Sequence, residues 1–359
     1  MNDFNELNLS SGLMRALESM KYTKPTPIQA QAIPVGLTGR DLMGCAQTGT
    51  GKTAAFAIPL ITRLAAEPQK TALILAPTRE LAAQIVSVIE QLCRHTPGIR
   101  TALVIGGVSM GMQIRELRTA RIIVATPGRL VDHLKQRTAS LAHTAVLVLD
   151  EADRMFDMGF QPQLNEILRH VPKERQTMLF SATFPSDVMA LANKHLKDPI
   201  RITAGPASTP IEKITQQVLR TSHGDKNKAL ASEISARRGS VLVFARTKAR
   251  TDRVARMLLN LGHDVDRIHG DRSQSQRTQA IEGFRKGRFR ILIATDIAAR
   301  GIDIPHIEHV INYDLPQCSD DYIHRIGRTG RAGAGGCALA LVTPEDEQQW
   351  REIRRKHAI

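Results

Sequence analysis

Two stretches of this 359-residue chain carry residue types and spacings suited to handling phosphates. The first, Ala46-Gln47-Thr48-Gly49-Thr50-Gly51-Lys52-Thr53, has the spacing of a phosphate-binding loop, with Ala where Gly often opens the motif. Gly49 and Gly51 let backbone N–H groups curl around phosphate oxygens, and the helix expected over 54–66 adds the positive end of its dipole. Lys52 is placed to reach the β- and γ-phosphates, and the Thr53 hydroxyl to ligate Mg²⁺. The second stretch, Asp150-Glu151-Ala152-Asp153, follows the apolar run 145–149. A buried strand that runs into adjacent carboxylates is costly unless a cation or a water needs them. Asp150 is therefore expected to face Mg²⁺, and Glu151 the water that attacks the γ-phosphate. An ordinary strand–turn–helix and a pair of helix-capping acids are the alternatives, and each loses ground because the other stretch is present. Together they imply a site for ATP or GTP.

Such loops need sheets to hold them. Short apolar runs bounded by turn residues fall at 72–76, 101–105, 122–125, 145–149 and 177–180, and again at 240–244, 265–268, 291–294, 309–312 and 338–342. Near-continuous apolar strands alternating with amphipathic helices predict an α/β fold, with parallel sheets covered by helices on both faces. Between the two sets, 204–212 is rich in Pro, Gly and Ser without periodicity and reads as a linker. One lobe is expected over 31–203 and a second over 213–359, in line with ~150 residues per domain. The polar end of the chain, with Arg351, Arg354 and Arg355, reads as a solvated helix face.

Composition narrows the partners. Forty-nine Lys and Arg against 35 Asp and Glu give a net charge of +14, which suits a polyanion such as nucleic acid and also suits a well-solvated basic surface. Aromatic residues are only 4% of the chain, so contacts to the phosphate backbone are favoured over base-stacking platforms. The four cysteines (Cys45, Cys93, Cys318 and Cys337) lie far apart without CxxC spacing, which argues against a disulfide scaffold or a structural zinc site. No signal-like N-terminus and no apolar run of ~18 residues is present, so a soluble, cytoplasmic protein is expected.

Further motifs appear in order: Pro77-Thr78-Arg79-Glu80-Leu81, Gly106-Gly107, Thr126-Pro127-Gly128-Arg129 and Ser181-Ala182-Thr183, then Gln274-Ser275-Gln276-Arg277, Ala294-Thr295-Asp296 continuing to Asp303, and His324-Arg325-Ile326-Gly327-Arg328-Thr329-Gly330-Arg331. With these, the chain resembles the DEAD-box ATP-dependent RNA helicases, in a compact, bacterial-type core, over nearly its whole length. The resemblance implies two tandem RecA-like lobes, an RNA-dependent ATPase with ATP and Mg²⁺ as cofactors, and an adenine-reading segment over 1–30. In that segment Gln29 pairs with adenine, Tyr22 offers it an aromatic face, and Phe4 is the distant aromatic. The family's usual Gly before the aromatic is Lys21 here, which puts the local backbone in question.

The resemblance also assigns roles across the lobes. Arg328 and Arg331 match arginine fingers, Asp303 a ribose contact, and His324 a link between lobes; taken alone, Arg325, Arg328 and Arg331 read equally as a solvated basic turn and His324 as a core histidine. With fingers on one lobe and the phosphate loop on the other, chemistry requires closure, favoured by RNA and ATP together. Asp153, Ser181 and Thr183 match the segment coupling nucleotide state to duplex opening, although Ser181–Thr183 alone reads as a helix cap. Thr78, Arg79, Gly107, Thr126, Gly128, Arg129, Arg246 and Thr295 form the implied RNA track, gripping sugar and phosphate without reading bases. Local unwinding of short duplexes is the first expectation, and an ATP-gated RNA clamp the second. Gln29 and the Asp150–Asp153 spelling disfavour a GTPase switch or a DNA translocase. A monomeric core with protein partners in RNA decay or ribosome assembly completes the expectation.

Overall fold

A computed structural model of the chain describes residues 3–46, 49–203, 214–299, 307–330, 335–357 and 359. The chain divides into two compact units, Met1–Gly205 and Pro206–Ile359. Gln47, Thr48, Asp303, Arg331 and the linker 204–212 lie outside the described residues.

Among its described residues the first unit holds seven strands: β1 (Leu42–Cys45), β2 (Thr71–Leu75), β3 (Thr101–Val104), β4 (Ile122–Ala125), β5 (Thr144–Leu149), β6 (Gln176–Ser181) and β7 (Ile200–Thr203). They form one sheet in the order β3-β4-β2-β5-β6-β1-β7, with every pairing parallel. All residues of β4, β5 and β6 are buried, as both faces of a helix-covered parallel sheet require. Two apolar layers result, one built around Phe56, Ile58 and Phe180, the other around Leu73, Leu147 and Leu179.

The strand order places the chemistry. The phosphate loop leaves β1, Ser181 ends β6 and Asp150 follows β5, and these three strands are neighbours in the sheet. At ~4.8 Å per strand, the ends of β1 and β5 are brought within ~10 Å of each other. The other half of the same edge, β3-β4-β2, carries Gly107, Thr126 and Thr78 on its outgoing loops. One sheet edge thus presents two loop clusters, at the carboxyl ends where open α/β sheets bind ligands.

The second unit contains β8 (Ile214–Arg220), β9 (Val241–Phe244), β10 (Val265–Ile268), β11 (Ile291–Ala294), β12 (His309–Asn312) and β13 (Gly336–Val342), in the order β10-β11-β9-β12-β13-β8 and all parallel. Arg246 follows β9 and Thr295 follows β11, again at carboxyl ends. Two edge strands, β7 and β8, fall outside the apolar runs read from the sequence. β8 pairs with β13 through all seven residues, yet it carries Thr215, Gln216 and Gln217 and is mostly solvent-facing. An edge strand needs no continuous apolar run. The C-terminal helix Glu347–His357 buries Trp350 and Ile353 and exposes Arg351, Arg354 and Arg355. No helix among the described residues is long and apolar enough to cross a membrane.

Lys21 shows why its position usually carries Gly. The helix Ser11–Ser19 closes with Lys21 N–H donating to the Glu18 carbonyl and Tyr22 N–H to the Leu17 carbonyl, each at 2.9 Å. This paired closure needs a left-handed residue, and Lys21 has φ +57°. A side chain there costs about 1–2 kcal/mol, partly offset because Gly adds about 0.5–1 kcal/mol of unfolded-state entropy. Lys21→Gly is therefore expected to raise the urea midpoint of unfolding slightly. A lower midpoint would show that the lysine side chain contributes something its backbone strain conceals.

Candidate functional site

The phosphate loop is anchored at its start by Ala46 N–H donating to the Ser181 carbonyl at 3.0 Å. Gly49 and Gly51 adopt φ +86° and +92°, which side chains rarely tolerate. At Gly51 a Cβ would also come within 2.5 Å of Gln29 Nε2. Lys52 opens the helix Lys52–Ala66 and is buried, with Nζ 3.6 Å from Asp150 Oδ1. Among the described residues that ammonium has no acceptor within hydrogen-bond distance. A buried cation at a helix N-terminus, short of an acceptor, fits phosphate oxygens. Thr53 follows on the same turn, half-buried.

Asp150 is fully buried and accepts a hydrogen bond from Glu151 N–H at 3.0 Å. Burial pushes its carboxyl up to about 6; the Lys52 ammonium opposes this, and the neighbouring Glu151 charge adds to it. A divalent cation would relieve the same cost. The donors Asp150 and Thr53 are hard oxygens of the kind Mg²⁺ accepts. Among the described residues no three His, Cys, Asp or Glu side chains converge as a metal cluster, so a cation here would rely on phosphate and water oxygens as well.

Glu151 has φ +51°, a strained conformation for a non-glycine residue, at the turn from β5 into the helix Ala152–Asp157. Its Oε2 lies 3.1 Å from Arg154 Nη1, with both side chains buried. Arg154 escaped the sequence reading; the available signal was an arginine three positions after an acid at a buried strand end. Asp153 ties the next loop in: its N–H donates to Ser181 Oγ at 3.1 Å, and its Oδ2 accepts from Thr183 N–H at 2.9 Å and Thr183 Oγ1 at 3.0 Å. Nucleotide loop, acidic turn and Ser181–Thr183 therefore form one hydrogen-bonded block.

Gln29 is buried and engaged at both ends of its amide. Oε1 accepts from Thr26 N–H at 2.9 Å, and Nε2 donates to the Gly51 carbonyl at 3.1 Å. One lone pair and one N–H remain, enough for the N6 donor and N7 acceptor of adenine. The amide thus bridges to the phosphate loop, which spacing alone does not show. Tyr22 stacks on the buried Phe4 with ring centroids 6.4 Å apart.

The loops of the β3-β4-β2 half are cross-braced. Thr78 Oγ1 accepts from Leu81 N–H at 3.2 Å, capping the helix Arg79–Cys93. The Arg79 guanidinium lies against the backbone of Gly106 and Gly107, so a Cβ at either would push the guanidinium aside. Arg129 Nη1 donates to the Val108 carbonyl at 3.1 Å, and Thr126 N–H to the Val104 carbonyl at 3.0 Å. Gly128 faces open space.

In the second unit, Arg246 N–H donates to Asp314 Oδ2 at 2.9 Å, and its guanidinium lies 3.7 Å from Asp346 Oδ1. Thr295 is nearly buried. The solvated-turn alternative fails for two of the three arginines. Arg325 is buried, grips Asp296 through two hydrogen bonds of 2.5 and 2.7 Å, donates to Asn312 Oδ1 and the Asp314 carbonyl, and stacks on Phe244. Arg328 is also buried, with Nε donating to the His324 carbonyl at 3.3 Å. His324 is partly exposed, with Nδ1 3.9 Å from Asp321 Oδ1, so it is not a core histidine.

Comparison with known proteins gives a consistent picture. Residues 26–191 match the DEAD/DEAH box helicase family model, and 225–333 the helicase conserved C-terminal domain. The ATP-dependent rRNA helicase RRP3 of Yarrowia lipolytica is 46% identical over 98% of this chain and 74% of its own. The DEAD-box ATP-dependent RNA helicase CshA of Bacillus subtilis is 41% identical over 98% of this chain and 72% of its own. The structure of S. cerevisiae Dbp5 bound to RNA and ADP BeF3 aligns with TM-score 0.89 at 33% identity, covering 99% of this chain and 93% of that one.

Proposed function

This chain belongs to the DEAD-box ATP-dependent RNA helicases, two RecA-like lobes that hydrolyse ATP and remodel RNA, and from that premise we propose how its residues divide the work. Lys52 and the backbone of Gly49–Gly51 hold the β- and γ-phosphates, and Gln29 and Tyr22 hold adenine. Asp150 and Thr53 would hold Mg²⁺, directly or through water, and the bound ion supplies charge neutralisation on the phosphates. Glu151 orients the attacking water. Arg328 and Arg331 act as fingers on the transferring phosphoryl group, and Asp303 contacts ribose. Asp153, Ser181 and Thr183 pass the nucleotide state to the RNA loops, and His324 links the lobes, whose closure gates the chemistry. Thr78, Arg79, Gly107, Thr126, Gly128 and Arg129, with Arg246 and Thr295, grip the RNA backbone. The observation that carries this reading is the buried Lys52 ammonium, without an acceptor among the described residues and 3.6 Å from Asp150, directly after two left-handed glycines.

The test is steady-state ATP hydrolysis with no nucleic acid, with single-stranded RNA, and with DNA of the same sequence. RNA alone is expected to stimulate. Equal rates in all three would remove RNA from the control of the ATPase. If Arg79, Arg129 and Arg246 are the phosphate-neutralising groups, log affinity for single-stranded RNA should fall with log salt at a slope of about −2, roughly fifteen-fold between 50 and 200 mM. Flat binding over that range would count against the track. The rRNA helicase relative makes ribosomal RNA the first substrate class to try.

A further inference from the structure

A buried polar chain outside the motifs links two of the loops assigned to RNA. Gln113, on the helix Met110–Leu117, and His133, on the helix Pro127–Lys135, are 1% and 0% exposed. Gln113 Nε2 donates to the Ile105 carbonyl at 2.8 Å, directly before the Gly106-Gly107 turn. That carbonyl only accepts, so the orientation of the amide is fixed and its Oε1 faces His133 Nε2 at 3.0 Å. His133 Nε2 therefore carries the proton, leaving Nδ1 to accept from the Thr138 hydroxyl at 2.8 Å, a proton that the hydroxyl shares with the His133 carbonyl at 3.2 Å. Burial and the neighbouring Arg129 charge hold the imidazole below its ordinary pKa, which keeps this neutral tautomer in place.

An apolar pair would fill the same space without needing partners, because buried polar groups cost free energy unless each bond is made. The polar pair fixes a direction and a distance that an apolar pair does not. It joins the turn after β3 to the helix whose first residues are Pro127, Gly128 and Arg129. Arg129, on that helix, reaches back to the Val108 carbonyl just beyond the same turn. We infer that Gln113 and His133 are positioning residues for RNA, locking the Gly106–Val108 turn to the Thr126–Arg129 helix start so that both present their phosphate donors as one preorganised surface. This inference rests on the assignment of those loops to the RNA track.

The experiment measures binding of a single-stranded oligouridylate in the presence of AMP-PNP, alongside nucleotide binding alone, in the full chain. Gln113→Leu combined with His133→Phe removes both partners and leaves neither unpaired against the other. The expected result is about a tenfold rise in the RNA Kd with nucleotide Kd unchanged, the loss typical of a site loosened by a fraction of an ångström. Arg129→Ala reports on the track itself. If Arg129→Ala weakens RNA binding and the double variant does not, the inference is overturned and the pair is core packing. If neither weakens it, the RNA track assignment fails and the inference with it. Should the double variant lose its melting transition, Thr138→Val removes only the hydroxyl and its bonds to the His133 ring and carbonyl, at nearly constant volume. A two- to threefold rise in RNA Kd is then expected, and an unchanged Kd would overturn the inference.

Discussion

In Glu151→Gln, ATP turnover is expected to fall by about 10²–10⁴-fold, the range that positioned acid–base groups contribute, while ATP and RNA still bind. The substitution keeps the volume and the left-handed backbone of Glu151 but removes the negative charge that would polarise the attacking water. Asp150, Lys52 and Gln29 are untouched, so the groups assigned to nucleotide affinity remain. A second effect follows from packing. Glu151 Oε2 lies 3.1 Å from Arg154 Nη1 in a site where both side chains are under 6% exposed, and the variant leaves that guanidinium without its counter-ion. Breaking a buried pair from one side costs about 3–5 kcal/mol, whereas replacing both members by neutral groups is close to neutral. Stability loss and rate loss can therefore be separated. Glu151→Gln with Arg154→Met should regain much of the melting temperature and none of the turnover. Wild-type turnover in either variant would take Glu151 out of the chemistry.

The parts of this site that were legible in the sequence are those whose physics is local. A parallel strand buried on both faces must be an apolar run, so the runs at 122–125 and 145–149 coincide with β4 and β5 to within a residue. A phosphate loop must have glycines where φ is positive, and Gly49 and Gly51 do. The rest depends on partners far apart in the chain. β7 and β8 are edge strands, held by pairing with β1 and β13 rather than by their own apolarity. The Gln29 amide reaches a carbonyl 22 residues away, and Arg325 reaches Asp296 across 29. Gln113 reads as the polar side of an amphipathic helix, and nothing in its neighbours in sequence shows that it faces inward to His133. Lys21 sits between these cases: its departure from Gly was visible, and the structure supplies the left-handed closure that explains why Gly is usual there.

Lys52→Met is expected to separate ligand binding from folding in the opposite direction. The ammonium has no acceptor within hydrogen-bond distance among the described residues and has Asp150 Oδ1 at 3.6 Å as its counter-charge, so methionine of similar length should pack in its place. Bound phosphate is different: losing one partner of a buried charge-assisted contact costs about 2–5 kcal/mol, roughly thirty- to several-thousand-fold in ATP affinity. The cost to the free protein falls on Asp150. Its carboxyl already lies near 6 because it is buried, and removing the Lys52 charge moves it further up. A carboxylate whose folded pKa exceeds its unfolded value destabilises the fold above the folded pKa, and that penalty vanishes below the unfolded one. In magnesium-free buffer the variant should therefore melt below wild type at pH 7, and the gap should close as pH falls through about 6, where the wild-type carboxyl also becomes protonated in the fold. A gap that widens on acidification would show that Asp150 is held ionised by something other than Lys52. Wild-type ATP affinity in the variant would move the phosphate site away from this loop altogether.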